Sequence, residues 1–445
     1  MSTSAILLCI PFVALLLCIA IFPLVKEDWW EKYRPLVVLI CSLLFIVPSL
    51  FINGAHPTVE SVLECLIDDY LTFIVLLFGL FCVAGNIHVE GQFAGKPVTN
   101  IVMLAIGTFL ASCIGTTGAS MVLVRPVLKM NSWRGARAHV MIFFIFMISN
   151  LGGCLTPIGD PPLLMGFTHG VPFAWSLRLF PIMLFNMVAL LTIFFFIDRS
   201  RYKKDLALGH TPPTPKDGPK LKITGAHNII FLITIVCAVI ISGVIPGQGI
   251  HIFGEVYLKW SAIVEVAIIL LSALLSFKTT KKEIREENRF SWGAIQEVAV
   301  LFIGIFITMQ PALNLLKVQG PQLGLNKAWQ MFWVTGALSS FLDNTPTYLV
   351  FFTTAAATAA VGKVITVTVS GVTTQISTKL LTAISCGAVF MGANTYIGNA
   401  PNFMVKSISD ENGVRMPSFF GYLGWSICIL IPVFLVDTAL ITFFM

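Results

Sequence analysis

The sequence has little charge and no paired cysteines. Only 11% of its 445 residues are Asp, Glu, Lys or Arg, against about a quarter in a typical soluble domain, whereas 56% are apolar and the mean hydropathy is +0.88. The ten cysteines stand singly, mostly inside apolar runs, where Cys behaves as a small hydrophobic residue. These features exclude a soluble enzyme and predict neither a disulfide framework nor a metal cluster. The first apolar run also lacks the preceding basic residues of a signal peptide, so it is predicted to stay as a helix.

Apolar runs long enough to cross a bilayer recur along the whole chain. Eight are uninterrupted and four are broken by Gly, Pro and polar residues. Helix is the only plausible spanning element here, because lipid leaves no other partner for the backbone. The predicted fold class is therefore an all-α polytopic membrane protein. The uninterrupted runs are 4–24, 35–53, 70–87, 178–197, 228–246, 257–277, 292–314 and 419–443.

The four broken runs predict two re-entrant hairpins and two broken helices. Runs 99–124 and 328–360 break at G-T-T-G (115–118) and D-N-T-P (343–346), and each has the length to enter and return on one side. Runs 138–168 and 379–406 break at the related segments T-P-I-G-D-P-P-L-L-M (156–165) and Y-I-G-N-A-P-N-F-M (396–404). Such residues are tolerated at membrane depth only where they line a cavity in the protein.

The basic residues favour one orientation in the membrane. If the loop with Lys26, Lys32 and Arg34 is cytoplasmic and both hairpins return to the side that they left, most of the 28 basic residues are cytoplasmic, as the positive-inside rule requires. This predicts ten crossings with both termini outside. The net charge of +6 then belongs to these loops and implies no nucleic-acid partner. The basic residues left outside are Arg178, Lys259, Lys317, Lys327, Lys363 and Lys379.

The same order of elements occurs twice, which predicts an inverted repeat. V-L-L-F-G-L-F (75–81) matches V-L-F-I-G-I-F (300–306), and L-A-S-C-I-G-T-T (110–117) matches L-S-S-F-L-D-N-T (338–345). Two inverted copies are typical of secondary transporters whose site lies between broken helices at the midplane. The predicted units are an N-terminal helix (1–34), a first repeat (35–197), a cytoplasmic linker with a connecting helix (198–256) and a second repeat (257–445).

Two smaller features of the loops are also predicted. The linker is rich in proline, which is typical of a segment between units. Thr/Val alternation over 364–376, around Ser370 and Gly371, indicates a small external β-hairpin. The linker prolines are Pro212, Pro213, Pro215 and Pro219.

Candidate ligands cluster at the four interruptions, where half-helix ends offer free backbone groups to ions. Their hard oxygen donors suit Na⁺ or Li⁺. An ionised Asp at membrane depth costs roughly 2.5–3.5 kcal/mol, so we predict that Asp160 and Asp343 bind an alkali cation or a proton. Ions are cargo here, and no cofactor is expected. The candidates are Thr116, Thr117, Ser120, Asn150, Thr156 and Asp160 in the first half and Asp343, Asn344, Thr345, Asn394, Asn399 and Asn402 in the second.

Structural roles remain open for the same residues. Asp160 and Asp343 each stand where they could cap the helix that follows. Four of the asparagines could serve only to satisfy broken backbone, namely Asn150, Asn394, Asn399 and Asn402. Glu265 and Asp437, also in apolar runs, are candidates for a proton relay or for a polar contact between helices.

The segments I-G-D-P-P-L-L and I-G-N-A-P-N-F resemble the broken-helix loops of the ion transporter superfamily, and T-T-G-A-S and D-N-T-P-T resemble its hairpin tips. That superfamily includes divalent-anion/sodium symporters, citrate transporters, arsenite pumps and NhaD-type sodium/proton antiporters. The resemblance covers about residues 35–443 and implies a homodimer whose transport domain moves as an elevator. Asp160 stands where the dicarboxylate carriers tend to have Thr, and Asp343 where they have Ser.

These departures favour the antiporter branch, because two carboxylates repel a substrate carboxylate unless they are protonated or bound to a cation. The predicted function is Na⁺(Li⁺)/H⁺ antiport by alternating access, with cation and proton competing at Asp160 and Asp343. The alternative is a Na⁺- or H⁺-coupled symporter of citrate or another small carboxylate. An intramembrane aspartyl protease is disfavoured for two reasons. The aspartate motifs of that class of protease would stand in the wrong order in this chain, and proteolysis does not need an inverted repeat. A bacterial inner membrane is the expected location.

Overall fold

The architecture is described by a computed structural model that covers residues 3–91, 93–213, 222–245, 249–288, 290–369 and 372–444. Within these residues, nine helical segments are long and apolar enough to cross a membrane, and the all-α polytopic fold class is confirmed. They are Ile6–Pro23, Asp28–Ile52, Ala55–Gly85, Pro97–Ile114, Ala138–Leu155, Phe173–Ala207, Trp260–Thr279, Ile295–Leu323 and Phe419–Phe443.

Eighteen α-helices are formed by the described residues. In the first half they are α1 (Thr3–Val25), α2 (Glu27–Ile52), α3 (Ala55–Glu64), α4 (Thr72–Gly85), α5 (Pro97–Ile114), α6 (Thr116–Met130), α7 (Ala138–Met147), α8 (Pro161–Thr168) and α9 (Phe180–Ala207). The remainder are α10 (Asn228–Ser242), α11 (Trp260–Thr279), α12 (Lys282–Glu287), α13 (Gly293–Gln319), α14 (Ala328–Ser339), α15 (Asn344–Ala357), α16 (Thr378–Met391), α17 (Ala400–Glu411) and α18 (Phe419–Phe444).

Several helices extend beyond the apolar runs that predict them. α2 begins at Glu27 rather than at 35, and α9 continues to Ala207, into the predicted linker. The run at 70–87 belongs to a longer helix, because a π-helical turn at Cys65–Leu71 joins α3 to α4. Charged residues are good helix formers, so a helix can continue past its apolar part into the polar surroundings of the membrane.

Three antiparallel β-hairpins or strand pairs accompany the helices in the described chain. β5 (Val364–Val369) pairs with β6 (Val372–Ser377), which confirms the hairpin predicted at 364–376; its tip at Ser370 and Gly371 lies outside the described residues, as do Pro215 and Pro219 of the linker. β1 (His88–Glu90) pairs with β2 (Lys222–Thr224), and β3 (Ile250–Phe253) pairs with β4 (Val256–Leu258).

The predicted interruptions are present in both halves. α5 ends at Ile114 and packs against α6, which begins at Thr116, and Gly115 between them has φ +80°. α14 and α15 form the corresponding pair around 340–343. In the broken helices, 3₁₀ turns at Leu151–Leu155 and Gly392–Asn394 separate α7 from α8 and α16 from α17. The inverted orientation of the halves stays a prediction.

The interrupted elements of one half pack against those of the other. α8 packs on α15, and α17 packs on α6. Each contact therefore joins the second half-helix of one broken helix to the second arm of the hairpin in the opposite half. This crossed packing places the starts of α6, α8, α15 and α17 in the interior of the molecule.

Candidate ion and substrate site

Asp160 lies at the centre of the interrupted elements. The residue is fully buried, and its carboxylate accepts three hydrogen bonds from neutral side chains. Thr116 donates to Oδ1 at 2.9 Å, Asn344 donates to Oδ2 at 2.5 Å, and Asn399 donates to Oδ1 at 3.3 Å. One carboxylate therefore binds residues from both halves of the chain.

Local sequence explains why the Asp160 carboxylate points away from its own helix. The residue directly precedes Pro161 and Pro162, which occupy the first turn of α8, where Pro is favoured because its missing N–H has no partner there. Asp160 holds the N-cap position but makes no capping bond. Asp160 therefore does not cap α8. Its carboxylate oxygens accept hydrogen bonds from α6, from α15 and from the residue before α17 instead.

Four helix N-termini meet around this carboxylate. Thr116 and Asn344 are the first residues of α6 and α15, while Asp160 and Asn399 are the N-cap residues of α8 and α17. Each N-terminus contributes the positive end of a helix dipole, although Asp343 caps α15 and the first two residues of α8 are prolines without an N–H. The surroundings of Asp160 therefore favour negative charge although its bonded partners are all neutral.

Amide side chains continue the network behind Asp160. Asn150 donates to Asn402 Oδ1 at 2.7 Å and accepts from Asn399 at 3.3 Å. Asn402 donates to the backbone oxygens of Gly392 and Thr395, within its own break. All three asparagines are buried. Asn402 thus pairs with backbone carbonyl groups that the interrupted helix leaves without partners, which is the structural role considered above for the asparagines. Its bond with Asn150 joins the two breaks.

Corresponding residues make corresponding contacts in the two breaks. Thr156 donates to the Ser112 carbonyl at 2.5 Å and accepts from the Gly159 N–H at 3.1 Å. Thr395 makes the same two bonds, to the Ser340 carbonyl and from the Gly398 N–H. Ser112 and Ser340 occupy equal positions in the matched segments 110–117 and 338–345. The two halves therefore build their breaks in the same way.

Asp343 has a different role from Asp160. Its carboxylate accepts from the backbone N–H of Thr345 at 3.0 Å and so caps α15, and its side chain is only partly buried. The adjacent Asn344, not Asp343, donates to Asp160, and the Thr345 hydroxyl lies 3.4 Å from Asn344 Oδ1. The capping alternative is the arrangement seen, and cation binding by Asp343 stays a prediction.

The remaining predicted residues lie at the edge of this network. The Ser120 hydroxyl lies 2.8 Å from that of Ser149, whose carbonyl accepts from Asn399. Asn394 donates to the Ser340 hydroxyl at 2.9 Å, while its own Oδ1 is buried with no hydrogen-bond partner among the described residues. Thr117 is half-buried. Ser340 was not among the predicted residues, although the matched segments 110–117 and 338–345 pair it with Ser112.

The groups around Asp160 are a hydroxyl and two amides. Among the described residues, no group of three or more His, Cys, Asp or Glu side chains is placed to hold a metal ion. Hydroxyl, amide and carboxylate oxygens are the ligands that hard cations prefer. Binding of an alkali cation or a proton at Asp160 stays a prediction.

Comparison with known proteins assigns the chain to a family. A search of the curated proteins returns no match to the chain. A family profile described as "Putative citrate transport" matches residues 1–443, and this supports the citrate-transporter side of the resemblance. With its nine apolar helices, the chain is an integral membrane protein, and it belongs to this citrate transport family.

Proposed function

We propose that the protein is a secondary active transporter that couples citrate or another small carboxylate to a cation or proton bound at Asp160. The observation that carries this proposal is the burial of Asp160 among three neutral donors contributed by both halves. An ionised carboxylate at membrane depth costs roughly 2.5–3.5 kcal/mol. A bound Na⁺, Li⁺ or proton offsets that cost. The site is therefore lower in free energy with a cation or proton on Asp160 than with the bare carboxylate.

The helix dipoles that converge at Asp160 would attract a carboxylate substrate. Free N–H groups and aligned dipoles bind anions without a basic side chain, and broken helices serve this purpose in other transporters. An ionised Asp160 repels such a substrate, whereas a cation or proton on Asp160 removes the repulsion. The coupling ion must therefore bind before or together with the substrate, which is the basis of symport.

The second candidate is the Na⁺(Li⁺)/H⁺ antiport predicted from the sequence. It is favoured by the neutral bonding partners of Asp160, because no Lys, Arg or His donates to its carboxylate among the described residues. A cation and a proton would then compete for one carboxylate, and alternating access would exchange them. We put this candidate second because the matching profile is described as putative citrate transport.

Several wider predictions accompany this proposal. Alternating access by an elevator motion, a homodimer, both termini outside and a bacterial inner membrane remain proposals that depend on the resemblance and on the distribution of basic residues. The intramembrane protease alternative needs two carboxylates that share a proton. It loses support because Asp343 caps its own helix and because the family is one of transporters.

Uptake by proteoliposomes tests the proposal. Labelled citrate is expected to accumulate when an inward Na⁺ gradient or proton gradient is imposed, and not when neither is present. If citrate and related carboxylates do not accumulate but Na⁺ or Li⁺ dissipates an imposed pH gradient, antiport replaces symport. If neither occurs, the proposed coupling at Asp160 is contradicted.

The matched variants are Asp160→Asn and Asp437→Asn. Both remove a buried carboxylate from a membrane helix or break, but Asp437 is bonded to Asn186 of α9 by two contacts of 2.8 and 2.9 Å, as expected of a polar contact between helices. Gradient-driven accumulation should be lost in the first variant and retained in the second if Asp437 is such a contact and not a proton relay. Equal loss in both would show that any buried carboxylate is needed for folding and would remove the special role of Asp160.

A further inference from the structure

A cavity outside the Asp160 site is lined by three arginines. It measures about 420 Å³ and lies between the start of α7, helix α9 and the loop that joins α17 to α18. Arg137, Arg201 and Arg415 contribute from these three elements, and Trp425 of α18 forms part of the wall. Among the described residues that line the cavity there is no Asp or Glu.

The nearest acidic side chains of α9 are already engaged elsewhere. Asp198 and Asp205 are buried and both bind the buried guanidinium of Arg134; the distance from Arg134 Nε to Asp205 is 3.0 Å. Asp198 also lies 2.8 Å from Nε2 of His139, which lines the cavity. Both carboxylates are held in this buried network, and neither Asp lines the cavity.

Arg137, Arg201 and Arg415 concentrate positive charge around one cavity, and this charge attracts an anion. Guanidinium binds phosphate through two parallel N–H···O bonds, which makes Arg the preferred residue for this group. The first turn of α7 adds the positive end of a helix dipole to the same wall. The cavity thus has the charge, the donors and the size for a phosphate-bearing ligand.

The position of the cavity indicates where that ligand comes from. Trp is enriched at the level of lipid headgroups, and basic pockets between membrane helices on the cytoplasmic side bind anionic lipid headgroups. The charge distribution predicts that Arg137, Arg201 at the end of α9 and Arg415 lie on the cytoplasmic side. A phospholipid phosphate can reach such a cavity from the bilayer, whereas inorganic phosphate would reach it from the cytoplasm.

We propose that Arg137, Arg201 and Arg415 form a phosphate-binding site for the headgroup of an anionic phospholipid. The site joins the two halves of the chain, since Arg137 precedes α7 and Arg415 precedes α18. A direct contact already links these segments, because Arg137 donates to the Gly413 carbonyl at 3.2 Å. A bound headgroup would strengthen that junction, and this role is independent of what Asp160 binds.

Native mass spectrometry of the full chain in a neutral detergent tests the site. Delipidated protein is titrated with phosphatidylglycerol, with phosphatidylcholine as the zwitterionic comparison. Wild type should bind one phosphatidylglycerol in preference to phosphatidylcholine. Each arginine near a membrane surface is worth about 1 kcal/mol, or about fivefold in affinity, so Arg201→Gln with Arg415→Gln should weaken binding roughly 30-fold. The single variants should each weaken it about fivefold.

Arg199→Gln is the matched control. It removes one arginine from the same helix, α9, but Arg199 does not line the cavity and lies over the Phe195 ring instead. This variant should bind phosphatidylglycerol like wild type. Equal weakening by Arg199→Gln would mean that the headgroup responds only to overall charge, and unchanged binding in the double variant would place the lipid elsewhere; either result overturns the proposal.

A parallel measurement separates lipid from soluble phosphate. The melting temperature of delipidated wild type and of the double variant is recorded with inorganic phosphate. If phosphate raises the melting temperature of wild type alone and phosphatidylglycerol shows no preference, the arginines bind a soluble anion and the lipid source is wrong. If neither ligand distinguishes wild type from the double variant, there is no phosphate site.

Discussion

Asp160 and Asp343 show how neighbouring geometry gives one residue type two roles. Both precede a helix in an interrupted element, but Asp343 caps α15, whereas Asp160 is followed by two prolines and makes no capping bond. Its carboxylate reaches Thr116, Asn344 and Asn399 instead. A carboxylate that is not committed to its own backbone remains available for an ion.

Substitution of Asp343 distinguishes a cap from an ion ligand. Asp343→Asn keeps a side-chain acceptor for the Thr345 N–H, so both stability and coupled uptake should stay near wild type. Asp343→Ala removes the cap and should cost about 1 kcal/mol of stability, seen as a lower melting temperature. Loss of coupled uptake in Asp343→Asn at an unchanged melting temperature would mean that the Asp343 carboxylate itself binds the ion.

At the level of elements, each break depends on close contact between its own backbone segments. A Cβ added to Gly159 would lie 2.3 Å from the Gly153 carbonyl oxygen, and one added to Gly398 would lie 2.5 Å from that of Gly392. These four glycines occupy equal positions in the two halves. The chain turns back on itself at both breaks because neither contact leaves room for a side chain.

Alanine at these glycines should therefore disturb both breaks. Gly159→Ala and Gly398→Ala each add a Cβ that collides with a backbone carbonyl group across the break. Overpacking of this kind costs roughly 1–3 kcal/mol of stability. The melting temperature and coupled uptake should fall together in each. Gly424→Ala is the control, since a Cβ there meets nothing within 4 Å; a similar decrease in that variant would show that the effect is not specific to the breaks.

The equivalent threonines should also be equally sensitive. Thr156→Val and Thr395→Val each remove a hydroxyl that bonds a carbonyl and an N–H across the break. Leaving such buried groups unpaired costs roughly 1–3 kcal/mol, so both should lower the melting temperature. Thr192→Val is the comparison, because Thr192 is exposed and bonds only within α9. A loss in one break without the other would contradict the equivalence of the two halves.

At the level of the whole molecule, the two halves meet through the Asp160 network and through crossed packing of α8 on α15 and α17 on α6. Asn399 binds Asp160, and these residues hold the same position in their repeats. Asn150 and Asn402 connect the breaks a second time. A movement of either half therefore changes the surroundings of Asp160, which is what coupling of ion binding to alternating access requires.

The predicted topology puts the loop after α9 inside and the loop after α15 outside. Leu208, after α9, and Val361, after α15, are 75% and 78% exposed and are suitable for cysteine substitution. A membrane-impermeant thiol reagent should label Leu208→Cys from the inside and Val361→Cys from the outside, over the background of the native cysteines. Labelling of both from one side would contradict the predicted topology.

The interruptions were predictable from sequence, whereas the partners that meet at them were not. Gly115, the Pro pair after Asp160 and the polar tip at 343–346 follow local rules for helix ends, and the observed helices stop there. The bond between Asn399 and Asp160 depends on packing between distant segments, for which one sequence has no local pattern. The π-helical turn at Cys65–Leu71 and the pairing of β1 with β2 are likewise set by tertiary contacts.

The most direct test of ion coupling at Asp160 compares two modes of transport in one variant. Asn at position 160 resembles a protonated Asp, so Asp160→Asn should still exchange labelled for unlabelled citrate across a proteoliposome membrane without any ion gradient. The same variant should fail to accumulate citrate when a Na⁺ or proton gradient is imposed. Gradient-driven accumulation at the wild-type level in Asp160→Asn would contradict the account, because the coupling ion would then bind elsewhere.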